Sequence, residues 1–473
     1  MKIHLENLGV LRQAEFELGD LTIICGKNNT GKTYATYALY GFLKNYPDLL
    51  KIDISSSEIN QLFENGSLKI DVKNYIDEVD SILSQSCRRY HKILREVFAS
   101  KPTHFKDSVF KLEIAKKDLL DAVKYPFSRK IRTPEKAILS LDKPDGQMDM
   151  SVSLLQDYDE VKGPPKEAIV GVISEAIADI LFRHIFPQAF IASSERTGAA
   201  ILDKQLNFAR SRLLEEIRWL EIISMDPPTL IYPLELLLKL YDDYALPIKK
   251  DLDFIRQFET IAKNDSFLTE ECPEILNDFS DIIGGEYISE SSNTIYFKPT
   301  KKQVKLTMDE SSSAVRSLMR IGFYLRHEAE RGDMLMVDEP ELNLHPENQR
   351  RMARLFARLV NLGIKVFVTT HSDFLVKELN TLIMLNQDKP HLKKIADEEG
   401  YRTEELLSAE KVRVYIAEKS LVKLKENERR TKVQTLVPAN IDKDLGIEAR
   451  SFDETINKMN EIQEAIVWGG DED

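Results

Sequence analysis

The chain has 473 residues, room for two or three domains' worth of core, and 42% hydrophobic with 30% charged residues is ordinary for a globular protein. Its net charge of −13 excludes a globally basic nucleic-acid binder, though not a local basic groove. The sequence has neither a membrane-length apolar run (roughly 18 residues) nor a signal-peptide core, and its three scattered cysteines (Cys25, Cys87, Cys272) predict reduced thiols in a cytoplasmic protein.

In chain order, Lys2–Leu8 and Ala14–Leu18 read as short strands split by a turn at Gly9. Leu21–Cys25 is an apolar run that delivers the chain to Gly26, Lys27, Asn28, Asn29, Thr30, Gly31, Lys32 and Thr33, the phosphate-binding P-loop pattern. Its glycines let backbone N–H groups approach oxyanions, and a helix starting near Thr33 adds its positive end. Lys32 is placed to reach the β/γ-phosphates of ATP, and the Thr33 hydroxyl to coordinate Mg²⁺.

From Tyr46 to about Gln188 the periodicity is helical, as in Asn74–Phe98 and Ser108–Val123. Thr133–Gly163 reads as loop with a short hairpin around Met148–Leu155, and Glu167–Phe186 as an apolar helix. Ala189–Ala192 is a strand leading into a polar cluster that contains Glu195 and Arg196. Helices at Leu202–Ile223 and Asp251–Lys263 follow, then strands at Glu286–Ser289, Thr294–Lys298 and Gln303–Thr307, and a helix at Ser312–Arg326.

Asp333–Pro340 is an apolar strand that ends in two acids. Asp338 occupies the Walker B position, where a carboxylate holds Mg²⁺; Glu339 would face the γ-phosphate and polarise the attacking water. A helix over Glu347–Asn361 leads to another buried strand, Ile364–Thr369, that runs into His371, a candidate γ-phosphate sensor. Lys32 and Asp338 lie about 300 residues apart, against roughly 30 residues for one βαβ unit, so a large segment is inserted between the halves of the nucleotide fold. The organisation expected is an α/β P-loop head with a large, mainly helical insertion. Its parts are residues 1–45 (head), 46–188 (helical insertion), 189–285 (mixed, mainly helical) and 286–473 (second part of the head).

This order of motifs resembles ABC-type ATPases of the SMC-like, RecF-like and OLD-like branch, over roughly residues 1–45 and 189–380. It is closest in character to the compact ATPase subunits of bacterial anti-phage defence systems of the PARIS, Septu or retron-associated type. The resemblance implies that two heads sandwich two ATP molecules, the Walker motifs of one meeting a serine-rich helix start of the other. Ser311, Ser312 and Ser313 match that signature without its glycine, which bears on hydrolysis more than on ATP binding. Asn343 would then lie in the loop that contacts the partner head, and His371 at the switch position. The glutamine of the Q-loop has no clear match; Glu195 and Arg196 are the nearest substitutes. Partners implied are a second copy and a separately encoded nuclease or toxin effector.

Two alternatives remain from the residues. Basic clusters (Lys298, Lys301, Lys302 and Lys305; Lys423, Lys425, Arg429, Arg430 and Lys432) leave DNA as a partner in a RecF/SMC-like clamp, although such runs are usually solvated faces. Glu418 at a strand end, with Asp442 and Asp444 downstream, could share a metal in a nuclease, but only 55 residues follow Glu418.

Overall fold

A computed structural model describes residues 1–101, 103–132, 136–155, 165–198, 244–290, 294–424, 429–448, 458–459 and 461–464. The helix expected at Leu202–Ile223 and most of a closing helix expected at Ser451–Val467 lie outside the described residues. In chain order the longer strands are β1 (Lys2–Leu8), β2 (Leu11–Glu17), β3 (Leu21–Cys25), β4 (Ser67–Asp71), β5 (Val109–Glu113), β6 (Phe127–Arg132), β7 (Ala137–Lys143), β8 (Asp149–Leu154) and β9 (Ala189–Ala192). They continue as β10 (Gly285–Glu290), β11 (Thr294–Pro299), β12 (Leu306–Thr307), β13 (Met334–Asp338), β14 (Lys365–Thr370), β15 (Val412–Val422) and β16 (Thr431–Pro438).

Apolar runs without polar alternation make the central sheet, as expected for parallel strands covered on both faces. Its order is β9-β13-β14-β3-β15-β16. The first five strands are parallel, and β16 returns antiparallel to β15. Side chains alternate between two cores. Ile24, Met336, Phe367 and Tyr415 face the helix Lys32–Leu49, the N-terminal strands and the insertion. Ile23, Val337, Val368 and Val414 face the helices Pro273–Ile283, Ser313–Phe323, Pro346–Asn361 and Asp373–Leu385. Because the strands are parallel, the loops after β3, β9, β13 and β14 all emerge at one edge, where ligands bind in sheets of this kind.

Two smaller sheets build the first face. β2-β1-β5 is antiparallel and packs on the central sheet through Phe16, whose ring meets Phe367 and Tyr415. The insertion is mainly helical, through Ser56–Asn65, Lys73–Asp77, Val79–Val97, Lys116–Ala122 and Lys166–Phe182. It also carries a four-stranded sheet, β4-β8-β7-β6: the loop expected over Thr133–Gly163 contains strands β7 and β8, and the hairpin expected around Met148–Leu155 is the single strand β8.

Another expectation is overturned nearby. Ser108–Val123 is not a single helix: Val109–Glu113 is strand β5, paired with β1, and the helix begins at Lys116. Short apolar runs fit both periods, and here the pairing with β1 decides. The segment 189–285 likewise opens with a strand of the head sheet, β9, so the head is assembled from three stretches of chain. The helix read at Ser312–Arg326 is α-helical over Ser313–Phe323 and closes in a π turn at Tyr324–Glu328.

The helices Lys32–Leu49 and Val79–Val97 touch without room to spare. A Cβ at Gly41 would sit 2.4 Å from Tyr90 Oη and 2.7 Å from Val97 Cγ1. Tyr90 Oη itself donates to Ala38 O at 2.6 Å. Gly41→Val is therefore expected to destabilise the protein by about 2 kcal/mol, because overpacking of about 1–3 kcal/mol exceeds the few tenths gained in helix propensity. A denaturant titration that left the midpoint unchanged would show that this contact yields freely.

Candidate nucleotide site at the C-terminal edge of the sheet

The P-loop needs its glycines for two separate reasons. Gly26 and Gly31 have φ of 143° and 98°, a region that side chains disfavour. A Cβ at Gly26 would also lie 2.8 Å from Ala417 O on β15, and one at Gly31 would lie 2.7 Å from Leu11 Cγ. Lys27, Asn28 and Asn29 are exposed on the outer turn, with Asn29 at φ 60° and Thr30 Oγ1 donating to Lys27 O at 2.7 Å. Gly31 caps the helix Lys32–Leu49, so the free N–H groups of that helix open into the loop. Lys32 is buried and folds back, its Nζ donating to Gly26 O and Lys27 O at 2.9 Å each. Burial lowers its pKa, against the carboxylates of Glu339, Asp338 and Glu341 that favour the charge.

Across the sheet, β14 lies between β3 and β13, and Asp338 is level with Thr369 while Thr370 is level with Cys25. That register brings residues about 300 apart in sequence into contact. Thr33 Oγ1 donates to Asp338 Oδ2 at 3.2 Å, and Thr369 Oγ1 donates to Asp338 Oδ1. Asp338 has no exposed surface, and burial pushes its carboxyl up to about 6, despite the two hydroxyls that favour the anion. A hydroxyl and a carboxylate oxygen side by side form the hard, all-oxygen donor set that suits Mg²⁺. An added cation would relieve the cost of the buried charge. Cys25, at the end of β3, is a buried thiol raised by burial to about 12, which suits a space-filling role and not a reactive one.

The next residues turn sharply. Glu339 sits at φ 54° and Asn343 at φ 63°, and Glu339 N donates to Thr369 O at 3.0 Å. A non-glycine residue held in the left-handed region directly after the strand is the kind of local strain found at working sites. Glu339 remains partly exposed, 3.6 Å from His371 Nδ1. His371 Nδ1 is nearer, 3.1 Å, to Glu341 Oε1, which also accepts from Thr370 Oγ1 at 2.8 Å and from the His371 backbone N–H at 2.7 Å. Glu341 is buried, and its Oε2 has no hydrogen-bond partner among the described residues. Sequence reasoning did not single out this residue. The signal available was a third acid in the run Glu339-Pro340-Glu341, but only the fold shows that it turns inward beneath the histidine.

Arg196 also acts differently from the reading. Its guanidinium is buried and spent on backbone carbonyls: Ser193 O, Asp338 O, Glu339 O and Ser317 O at 2.6–2.9 Å. It therefore splints the ends of β9 and β13 to the helix Ser313–Phe323 and does not reach out as a Q-loop glutamine would. Glu195 accepts from Tyr37 Oη at 3.0 Å on the P-loop helix, beside the site. The serine run lies elsewhere. Ser311 Oγ donates to Thr307 O at 2.8 Å, Ser312 is exposed and caps the helix by accepting from Val315 N at 3.3 Å, and Ser313 is half-buried. Among the described residues, no hydrogen bond joins these serines to the P-loop of the same chain.

The acids considered for a second metal are engaged separately. Asp442 accepts from the backbone N–H groups of Asp444 and Leu445, Asp444 pairs with Lys389 at 2.8 Å, and Glu418 faces Thr435 across β15 and β16. Among the described residues, no group of three or more potential ligands stands ready for a metal ion, and no helix is long and apolar enough to cross a membrane.

The P-loop, the acid-tipped neighbouring strand and the sheet order together define an α/β P-loop ATPase fold. The AAA ATPase domain family matches residues 1–167 and 234–376, about two thirds of the chain, and the chain belongs to that family. No curated protein sequence matches it. Among solved structures, an SMC head bound to the C-winged helix domain of ScpA aligns at 13% identity, covering 93% of this chain and 98% of that one, with a TM-score of 0.33. An SMC head with an extended coiled coil, bound to the C-terminal domain of ScpA and derived from Pyrococcus furiosus, gives 12%, 98% of each chain and 0.31. The SMC head domain from Thermotoga maritima gives 10%, 93% and 98%, and 0.31. Scores this low carry no argument beyond the family match.

The buried Asp338 has a stability consequence. Its folded pKa, about 6, lies above the ordinary 3.8, so the folded state holds the proton more tightly than the unfolded chain. The group costs nothing while protonated in both states. The cost grows as pH rises from about 4 to 6, then stays constant at about 2–3 kcal/mol. Asp338→Asn should accordingly raise the melting temperature of the nucleotide-free protein at pH 8 and make little difference at pH 4. Equal melting temperatures at pH 8 would show that the carboxylate is not strained there.

Proposed function

We propose that this protein binds and hydrolyses ATP with Mg²⁺ as an ABC-type ATPase, and that ATP-dependent association of two heads controls a separately encoded nuclease or toxin, in anti-phage defence. The observation that supports it best is the convergence at one sheet edge. The P-loop, the Thr33–Asp338 pair, Glu339 and the Glu341–His371 pair lie together, while Ser312, which caps the helix Ser313–Phe323, is exposed.

In this reading the P-loop N–H groups and the helix start bind the phosphates, and Lys32 exchanges its two carbonyl partners for β/γ-phosphate oxygens. Thr33 and Asp338 would hold Mg²⁺, which would supply charge neutralisation at the phosphates. Glu339 takes the proton from the attacking water, its partial exposure leaving room for that water. His371, set by Glu341, contacts the γ-phosphate. Ser311–Ser313 and Asn343 serve the nucleotide on a second copy, through hydroxyls and N–H groups at the helix start where Ser312 is exposed. The head then comprises residues 1–45 and 286–473 with β9, the insertion 46–188 covering one face. Control of an effector rests on the resemblance of the motif order to defence ATPases.

Lys32→Ala should weaken ATP binding by about tenfold or more in a direct binding measurement. Glu339→Gln should keep ATP bound, lower turnover by about a hundredfold and accumulate an ATP-dependent dimer in analytical ultracentrifugation. Unchanged turnover in Glu339→Gln would refute the base assignment; turnover lost without any dimer would refute head association.

A further inference from the structure

At the end of β14 the ring of His371 is held by one side chain from another segment. Glu341 lies in the turn after β13, where Leu342 N donates to Glu339 O at 3.2 Å and Leu344 N donates to Glu341 O at 3.0 Å. These two successive turns carry its side chain inward, leaving the residue 6% exposed. Its Oε1 accepts from Thr370 Oγ1 at 2.8 Å and from the His371 backbone N–H at 2.7 Å, and stands 3.1 Å from His371 Nδ1. We infer that Glu341 is a positioning residue: it locks His371 in the form that carries its proton on Nδ1, and so makes Nε2 the atom that meets the nucleotide.

The donor count fixes the proton. Glu341 Oε1 faces a hydroxyl, a backbone N–H and the imidazole nitrogen, so it acts as the acceptor for all three, and Nδ1 must donate. With the proton on Nε2 instead, Nδ1 and Oε1 would be two acceptors face to face, and the ring would turn away. An unrestrained histidine carries its proton mainly on Nε2, so the fold here reverses the ordinary preference.

Glu339 is the other carboxylate nearby, but at 3.6 Å from the same nitrogen it is beyond hydrogen-bond reach, and it is partly exposed. His371 Nε2 has no hydrogen bond among the described residues, and the side chain is 42% exposed, which leaves that nitrogen open to a ligand. Nε2 then accepts from water when the ring is neutral and donates to a phosphate oxygen when it is protonated.

The backbone on either side of His371 is already fixed, so the ring is the part left to be set. Thr370 Oγ1 accepts from Ser372 N at 2.9 Å, and Ser372 Oγ caps the helix Asp373–Leu385 by accepting from Leu375 N at 3.2 Å. One oxygen of Glu341 thus holds both the main chain and the ring of a single residue. The hydrogen bond belongs to the nucleotide-free fold; its effect on turnover rests on the ATPase reading.

Two measurements on the full chain keep these apart. In nucleotide-free protein carrying isotope-labelled histidine, long-range proton–nitrogen NMR spectra at pH 9, well above the ordinary histidine value of about 6.5, report which ring nitrogen is protonated. His371→Asn identifies the signals. The wild type and Glu339→Ala should show Nδ1–H. Glu341→Met, of similar volume and without a carboxyl acceptor, should show Nε2–H, and Glu341→Gln, whose amide oxygen can replace Oε1, should restore Nδ1–H. Nε2–H in the wild type overturns the proposal, as does Nδ1–H in Glu341→Met or its loss in Glu339→Ala. The wild-type and Glu339→Ala spectra decide even if Glu341→Met does not fold.

ATP turnover should fall about tenfold or more in Glu341→Met with KM changed less than about twofold, and Glu341→Met combined with His371→Asn should be no slower than His371→Asn alone. Losses that multiply would overturn a role exerted through His371. A wild type without ATP turnover would strike the ATPase reading and leave the Nδ1–H form standing.

Discussion

The register of three parallel strands underlies the rest of the site. With β14 between β3 and β13, Asp338 stands level with Thr369, and Cys25 with Thr370. Two strand spacings of about 4.8 Å put the end of the acid-bearing strand about 10 Å from the end of the P-loop strand. That is close enough for Thr33, the second residue of the next helix, to reach Asp338. A slip of one residue in either pairing would turn Asp338 to the other face of the sheet and dissolve the site. The all-apolar strand sequences, buried on both faces, fix the strands' depth, and the helices packed on each face fix the register.

Around this frame, buried polar groups hold the candidate site residues in place. Arg196 satisfies four carbonyls where β9, β13 and the helix Ser313–Phe323 meet. A buried guanidinium is costly unless its donors are used, and here they are, which gives one strong preference for the relative position of those elements. Asp251 does similar work lower down, accepting from Ser193 Oγ at 2.5 Å and pairing with Arg320 at 2.8 Å. Glu341 links the turn after β13 to the end of β14, so Asn343 and His371 lie on segments joined by one carboxylate. The left-handed backbone at Glu339 and Asn343 makes that turn a local strain reservoir.

The insertion is an integral part of the ATPase core and not an appendage. Its helix Val79–Val97 and strand β5 share one hydrophobic cluster with the P-loop helix and the inner face of the sheet. The aromatic series Phe110, Tyr90, Phe42 and Phe186 runs from strand β5 through the P-loop helix, with ring centroids 4.9–5.6 Å apart. Close-packed contacts of this kind transmit displacement instead of absorbing it. A surface on the insertion is in this way mechanically near the nucleotide.

The sequence alone determined the local parts. The strands before the P-loop and at Asp338 were legible because buried parallel strands are unbroken apolar runs, and Gly26, Gly31, Lys32 and Thr33 because phosphate binding demands those residue types at fixed spacing. The distance between Lys32 and Asp338 announced an insertion. What the sequence could not determine was anything set by partners distant in the chain. Whether Val109–Glu113 became strand or helix depended on β1, more than a hundred residues away. Arg196 looked like a site residue until the carbonyls that consume it were placed around it, and Glu341 drew no notice until β14 was laid beside it. Those assignments follow from desolvation and from hydrogen bonds between remote segments, which exist only once the sheet has formed.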